Sequence, residues 1–143
     1  MLNKYIPIVL LLLAITHVVR TTYLGRQVYF QETILNNTRE SVSVEYKYWR
    51  DESASNFASE NFARELGESL SGIAVAPASR RYKYAYCGSV VFKNKAKVAL
   101  QLDCYGGNIV RVNKRFYLAS CDIFETVRTL CEAEMLSKTE DGK

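Results

Sequence analysis

The sequence lacks the residues from which most hydrolytic active sites are built. It contains a single histidine, His17, which lies inside an uncharged hydrophobic run near the N-terminus. A Ser-His-Asp or Cys-His nucleophile system therefore cannot be assembled in the rest of the chain. The motifs GxxxxGKS/T, HExxH and GxGxxG are also missing, and no spacing brings two carboxylates together. We therefore expect a protein that is not an enzyme and that has no catalytic residue, no cofactor and no small-molecule substrate.

The chain is also poor in proline and glycine and has no closely spaced cysteines. Its 143 residues include 2 Pro and 7 Gly, too few for long linkers, and the length fits one domain behind the hydrophobic run. The four cysteines are separated by 16, 16 and 9 residues, which argues against a CxxC redox pair and against a zinc site. The 19 basic and 15 acidic residues are interspersed, which predicts a solvated surface and no nucleic-acid partner.

The hydrophobic run itself directs the chain to a membrane. Residues 5–19 carry no charge, and Arg20 ends the run. A helix of fifteen residues is about 22 Å long, and extension to Leu24 gives a marginal crossing of a hydrocarbon core about 30 Å thick. No small-residue cleavage pattern follows. We therefore predict a single-pass signal anchor over residues 1–26, with residues 5–24 in the membrane; the alternative is secretion after signal cleavage.

The four cysteines decide the predicted orientation, because the charges that flank the run are nearly balanced. An even number of cysteines in a small exported domain predicts disulfides. Two strands around a tight turn centred on residues 95 and 96 place Cys87 directly opposite Cys104. We therefore predict a disulfide between Cys87 and Cys104 and a domain on the periplasmic or extracellular side. The pairing of Cys121 and Cys131 stays open, because a helix between them would hold them apart.

Hydrophobic periodicity predicts a small α+β domain over residues 27–137. Residues 41–49 alternate as a half-buried strand, and residues 51–70 form an amphipathic helix. Three strands follow at about 81–92, 97–105 and 109–119, with a three-residue loop that sets Leu102 opposite Val112. A last helix begins at Asp122, which forms a capping box with Glu125. The N-terminal hydrophobic helix is thus followed by a β-α-β-β-β-α domain with an antiparallel sheet packed on a helix, and by a flexible tail over residues 138–143.

The first five elements of the domain resemble the element order of cystatin-like folds. The resemblance is limited to that order, because the QxVxG loop and the Pro-Trp hairpin of the cystatin inhibitors do not occur in this sequence. It therefore implies a layout of helix and sheet, and it carries over no inhibitory residue.

Tyrosine is frequent, with 10 copies, and several tyrosines alternate with cations on the predicted sheet. The candidate interaction surface consists of Tyr82, Tyr84, Tyr86, Tyr105, Tyr117, Arg81 and Lys83. Tyrosine and arginine are enriched at protein interfaces, although tyrosines also serve simply as cross-strand pairs. We therefore expect a membrane-anchored protein-interaction domain, an accessory or assembly subunit of an envelope or membrane complex. The alternative is an exported inhibitor or immunity-type protein that binds an enzyme or toxin.

Overall fold

One long helix leads from the hydrophobic segment into the folded domain. In a computed structural model that describes residues 2–50, 53–78, 85–106 and 108–142, helix α1 (Ile6–Thr38) has 33 residues and is therefore about 50 Å long. The side chains of its first half, as far as residue 25, are exposed. In its second half, Phe30, Thr33, Ile34 and Thr38 are buried. The helix thus combines an exposed apolar half with a half that belongs to the core.

Helix α1 is the one helix in the described part of the chain that is long and apolar enough to cross a membrane. A membrane anchor and a signal sequence both have this length and composition, so the structure is compatible with either. The helix continues without a break across the predicted boundary at residue 26. Residues 27–35, whose pattern mixes the periods of helix and strand, are therefore helical.

Seven antiparallel strands form one sheet, three more than the four that the sequence predicts. They are β1 (Ser43–Tyr48), β2 (Ser55–Phe57), β3 (Val75–Pro77), β4 (Tyr86–Asn94), β5 (Lys97–Tyr105), β6 (Ile109–Val112) and β7 (Arg115–Ala119). Their order in the sheet is β2-β1-β4-β5-β6-β7-β3. Strand residues such as Val44, Val90 and Leu102 join side chains of all three helices in one hydrophobic core. The N-terminal helix followed by an antiparallel sheet with packed helices is thus confirmed.

The two later helices begin at side-chain caps. Helix α2 (Glu60–Ser71) starts where the Ser59 hydroxyl accepts a hydrogen bond from the Phe62 amide. The predicted start at residue 51 was wrong, because residues 55–57 pair with β1 as strand β2. Helix α3 (Ile123–Asp141) starts at the predicted cap, where the Asp122 carboxylate accepts from the Glu125 amide at 3.1 Å. It continues as far as Asp141, through most of the predicted tail.

The predicted strand over residues 109–119 is in fact a hairpin. Strands β6 and β7 are joined by Asn113 and Lys114, whose φ angles of 48° and 64° are those of a two-residue turn with both residues left-handed. Asparagine tolerates the left-handed region of backbone conformation well. The sequence has no glycine at this turn, so the usual sequence signal of such a turn is absent. The predicted register of Leu102 opposite Val112 is correct. Pro77 lies in β3 at the edge of the sheet, where a missing amide proton is tolerated.

Helices α1 and α2 are in close contact at Gly67. A Cβ atom on this residue would lie 2.7 Å from the Cβ atom of Thr38, which is shorter than the distance between non-bonded carbon atoms in proteins. Thr38 itself is buried, and its hydroxyl donates to the Ile34 carbonyl at 2.8 Å. The absence of a side chain at residue 67 therefore allows α2 to pack directly on the second half of α1.

Substitution of Gly67→Ala should force α1 and α2 apart and lower the free energy of unfolding by about 1–3 kcal/mol, the usual cost of overpacking. Gly72→Ala in the cap of the same helix is the matched control. Its Cβ atom would have no neighbour closer than 3.7 Å and its φ is −78°, so its stability should stay within about 0.5 kcal/mol of the wild type. Urea unfolding of both variants measures the difference, and equal stabilities would contradict the close packing.

Candidate functional site

The structure brings together only part of the predicted tyrosine surface. Tyr86 and Tyr105 lie opposite each other on β4 and β5 with ring centroids 5.8 Å apart, and Tyr105 is also 5.8 Å from the Phe116 ring on β7. Tyr86 is 44% exposed. The predicted members Arg81, Tyr82, Lys83 and Tyr84 lie outside the described residues.

The prediction that Tyr117 belongs to the exposed tyrosine surface is wrong, because Tyr117 lies on the face of the sheet that packs on the helices. It is fully buried, its ring centroid is 5.2 Å from that of Phe30 on α1, and it pairs with Val110, which is also buried. The turn at residues 113 and 114 determines which side chains of β7 face the helices. As a result, Phe116 lies on the side of Tyr105 and Tyr117 faces the helices. Burial raises the pKa of the Tyr117 phenol, and the Arg115 guanidinium partly opposes that rise. Tyr117 is therefore a core residue and not part of an interaction surface.

Beside the tyrosine pair, the sheet carries a polar network centred on Asp103. This carboxylate is 6% exposed and accepts hydrogen bonds from Arg111 at 2.5 and 3.1 Å and from Gln101 at 2.8 Å. The hydrogen bond to Asp103 raises the pKa of Arg111. A buried carboxylate with a charged and a neutral donor is fully engaged. Its role in the structure is to hold Arg111 beside Phe116, where the guanidinium lies 6.0 Å from the ring centroid.

The predicted face-to-face arrangement of Cys87 and Cys104 is wrong. Near the turn, Asn94 pairs with Lys97 as predicted, but an irregularity between Phe92 and Lys93 shifts the register by one residue. Gly88 therefore lies opposite Cys104, and Cys87 is the extra residue of a second bulge between Tyr86 and Gly88. All four cysteines, each within the described residues, are unbonded thiols in the structure.

The two buried thiols are poor nucleophiles. Burial, reinforced by the charges of Asp103, Asp122 and Cys87, raises the pKa of Cys104 to about 12. Burial and two neighbouring glutamates raise the pKa of Cys131 to about 12 as well. Because the thiolate is the reactive form, both thiols are unreactive near neutral pH, and both residues act as small apolar side chains.

A groove of about 420 Å³ lies between α3 and the β1–β4 part of the sheet. We call it the aromatic groove. Its lining residues are Tyr46, Tyr48, Trp49, Ser55, Cys87, Phe124, Glu125, Arg128, Cys131, Glu132 and Met135. Four of them, Phe124, Arg128, Cys131 and Met135, recur at helical spacing and form one wall.

The floor of the aromatic groove depends on Gly88. A Cβ atom at this residue would lie 2.5 Å from the Phe124 ring and would also collide with the Lys47 carbonyl oxygen. Glycine lets the Phe124 ring settle against the sheet, where its centroid is 5.5 Å from that of Tyr46 and 5.4 Å from that of Tyr48. This aromatic cluster joins the start of α3 to the end of β1.

The rim of the aromatic groove is chemically suited to contact another protein. Trp49 is 51% exposed, and its ring lies 4.7 Å from the Arg50 guanidinium carbon. Met135 is 44% exposed on the opposite wall, and Arg128 forms an ion pair with Glu125 at 2.6 Å. Tryptophan, tyrosine, methionine and arginine are the residues enriched in interfaces. Sequence reasoning missed this site; its signal was the single tryptophan that follows an alternating strand.

The described residues contain no group of three histidine, cysteine, aspartate or glutamate side chains placed to hold a metal ion. Comparison with protein-family models, with curated protein sequences and with solved structures gave no match.

In the reduced, folded protein at about pH 8, iodoacetamide should alkylate Cys87 and Cys121 and leave Cys104 and Cys131 unmodified. The first two are partly exposed, whereas a pKa of about 12 leaves only about one buried thiol in ten thousand ionised. The raised pKa of Cys104 and Cys131 also affects stability. Above pH 9 these two thiols lose their protons in the unfolded chain but keep them in the folded protein, so the free energy of unfolding should fall from pH 9 towards pH 12. Peptide mass mapping reads the labelling. Rapid labelling of Cys104 in the folded state would contradict its burial.

Proposed function

We propose that this protein is a membrane-anchored, non-enzymatic interaction domain, an accessory or assembly subunit of an envelope or membrane complex. The observation that carries the proposal is the two-part helix α1, which is exposed and apolar in its first half and part of the domain core in its second. Such a helix attaches the folded domain to the membrane or protein that surrounds its first half. The aromatic groove then supplies the surface for a protein partner.

The exposed half of α1 supports the membrane part of the proposal. Leu10, Leu11, Leu12, Leu13 and Val18 are each 58–61% exposed. Complete burial of such a side chain is favourable by about 1.5–3 kcal/mol, so a helix this apolar does not remain in water. Contiguous exposed apolar surface of this extent marks contact with lipid or with another protein.

The exposed residues of the aromatic groove support the interaction part. Trp49 and Met135 stand on opposite walls, each about half exposed, with a preformed aromatic floor between them. Tryptophan is among the residues that contribute most to interface affinity, and methionine is enriched in interfaces. A protein partner that covers this groove would remove both side chains from water at once.

The proposal places the domain on the periplasmic or extracellular side. Its support is the even number of cysteines in the domain, which is typical of small exported domains that form disulfides.

An exported inhibitor of an enzyme or toxin is the second candidate. The observation in its favour is that Trp49 and Arg50 lie in the loop that joins β1 to β2, where a hairpin presents them to solvent. An inhibitor of this kind would act through the loop alone, whereas a subunit would use the α3 wall of the aromatic groove as well.

In its native membrane, the full chain should be extracted by mild detergent in a complex larger than the 16.3 kDa monomer, and Trp49→Ala should release it as a monomer. Val98→Ala is the control, since Val98 is 57% exposed on the β4–β5 hairpin outside the groove. Met135→Ala distinguishes the two candidates, because only a subunit uses the α3 wall. Native electrophoresis measures all three variants, and a wild-type chain that migrates alone would contradict the proposal.

Mass spectrometry of the purified native protein under non-reducing conditions tests the anchor and its orientation together. The intact mass should include residues 1–24, and it should be lower by at least two hydrogen atoms because an exported domain with four cysteines is expected to form a disulfide. A chain that begins after residue 24 would show a cleaved signal sequence. Four free thiols in protein isolated without reductant would contradict the non-cytosolic placement.

A further inference from the structure

A small basic pocket lies where α1 meets the sheet edge formed by β7 and β3. Its volume is about 240 Å³, and it is lined by Arg26, Pro77, Ala78, Arg115 and Phe116. Two of its five lining residues are arginines, one from the helix and one from the start of β7. No acidic residue is among these five. We call it the basic pocket.

The basic pocket is held in place by Gln27, the residue next to Arg26. The Gln27 side-chain amide donates to the Ile73 carbonyl at 3.1 Å, and its oxygen accepts from the Val75 amide at 2.7 Å. These two bonds fasten the start of β3 to α1. At the other end of β3, the Ala78 amide donates to the Phe116 carbonyl at 3.1 Å. The backbone around the two arginines is therefore anchored on both sides.

Among the described residues, no carboxylate neutralises either arginine. The Arg115 guanidinium carbon lies 4.2 Å from the centroid of the Tyr29 ring, a stacked contact that orients the group without neutralising it. Among the described residues, the ion pairs join Lys93 to Glu45, Arg111 to Asp103 and Arg128 to Glu125. Within that described part, neither Arg26 nor Arg115 is paired with a carboxylate.

The position of Arg26 along α1 matches the headgroup layer of a bilayer. At 1.5 Å per residue, Arg26 lies about 3 Å beyond Leu24, the last residue of the proposed membrane segment. The polar layer extends about 5–8 Å beyond the hydrocarbon on each side. Residue 26 is also the first residue of α1 that is partly buried, so the folded domain begins within this layer.

We propose that the basic pocket binds the phosphate group of an anionic phospholipid. The planar guanidinium groups of Arg26 and Arg115 are suited to bidentate contacts with phosphate oxygens. The inference rests on the proposed membrane anchor and adds a ligand to it. Bound at this point, the lipid would orient the domain relative to the membrane and would thereby set the direction in which the aromatic groove faces.

The test uses the full chain in nanodiscs of phosphatidylcholine, alone or mixed with phosphatidylglycerol. Native mass spectrometry should show phosphatidylglycerol retained on the wild type and its retention reduced about tenfold in Arg26→Gln/Arg115→Gln, because two charge-assisted contacts are lost. The control Arg64→Gln/Lys97→Gln removes the same charge from two exposed residues outside the pocket and should retain the lipid as the wild type does. Equal retention by both double variants would overturn the proposal.

Two further arms keep the result decisive. If loss of the Arg115–Tyr29 contact unfolds the double variant, Arg26→Gln alone should still weaken retention, since Arg26 also lines the pocket and leaves that contact intact. Inorganic phosphate added to the wild type in phosphatidylcholine nanodiscs tests a soluble source. Should that phosphate bind while phosphatidylglycerol is not retained, the lipid assignment is overturned. A chain that does not enter nanodiscs contradicts the anchor itself, whereas an anchored chain without lipid selectivity contradicts only this inference.

Discussion

The burial of the second half of α1 against the sheet is the constraint on which the rest of the structure depends. Phe30 and Ile34 are fully buried, and the Phe30 ring packs against Tyr117 of β7. One helix is thus both the exposed apolar segment and a core element of the domain. Because an α-helix is stiff over this length, any surface that holds its first half also restricts the position and tilt of the domain.

Two glycines, one in α2 and one in β4, allow this close packing. Gly67 lets α2 lie directly on α1 at Thr38, and Gly88 lets the Phe124 ring reach the sheet. In both places the missing side chain is replaced by a neighbouring group, so the interior stays filled. Close approach at Gly88 brings α3 to β1 and β4, and that contact creates the aromatic groove. The same bulge that positions Gly88 turns Cys87 towards the groove.

The two sites lie at different parts of the sheet, and this separation suits the proposed role. The aromatic groove is built on β1 and β4 near one edge, and the basic pocket is built on β7 and β3 at the other. The pocket adjoins the exposed apolar half of α1, where the proposed membrane surface lies. In the proposed role, one edge of the domain would face the membrane and the other edge would face a protein partner. The buried thiols and the fully bonded Asp103 belong to the scaffold.

The sequence alone determined those elements of the protein that depend on residues close together in the chain. The uncharged run, the alternation in β1, the caps at Asp122 and the turn after Asn94 each follow from local sterics and solvation, and each lies where the sequence places it. Only the tertiary structure decided which side chains meet. A one-residue shift moved Gly88 opposite Cys104, and an unmarked turn at Asn113 sent Tyr117 into the core. Such shifts cost little locally, so their outcome is set by long-range packing, including Phe124 against Gly88 and Phe30 against Tyr117.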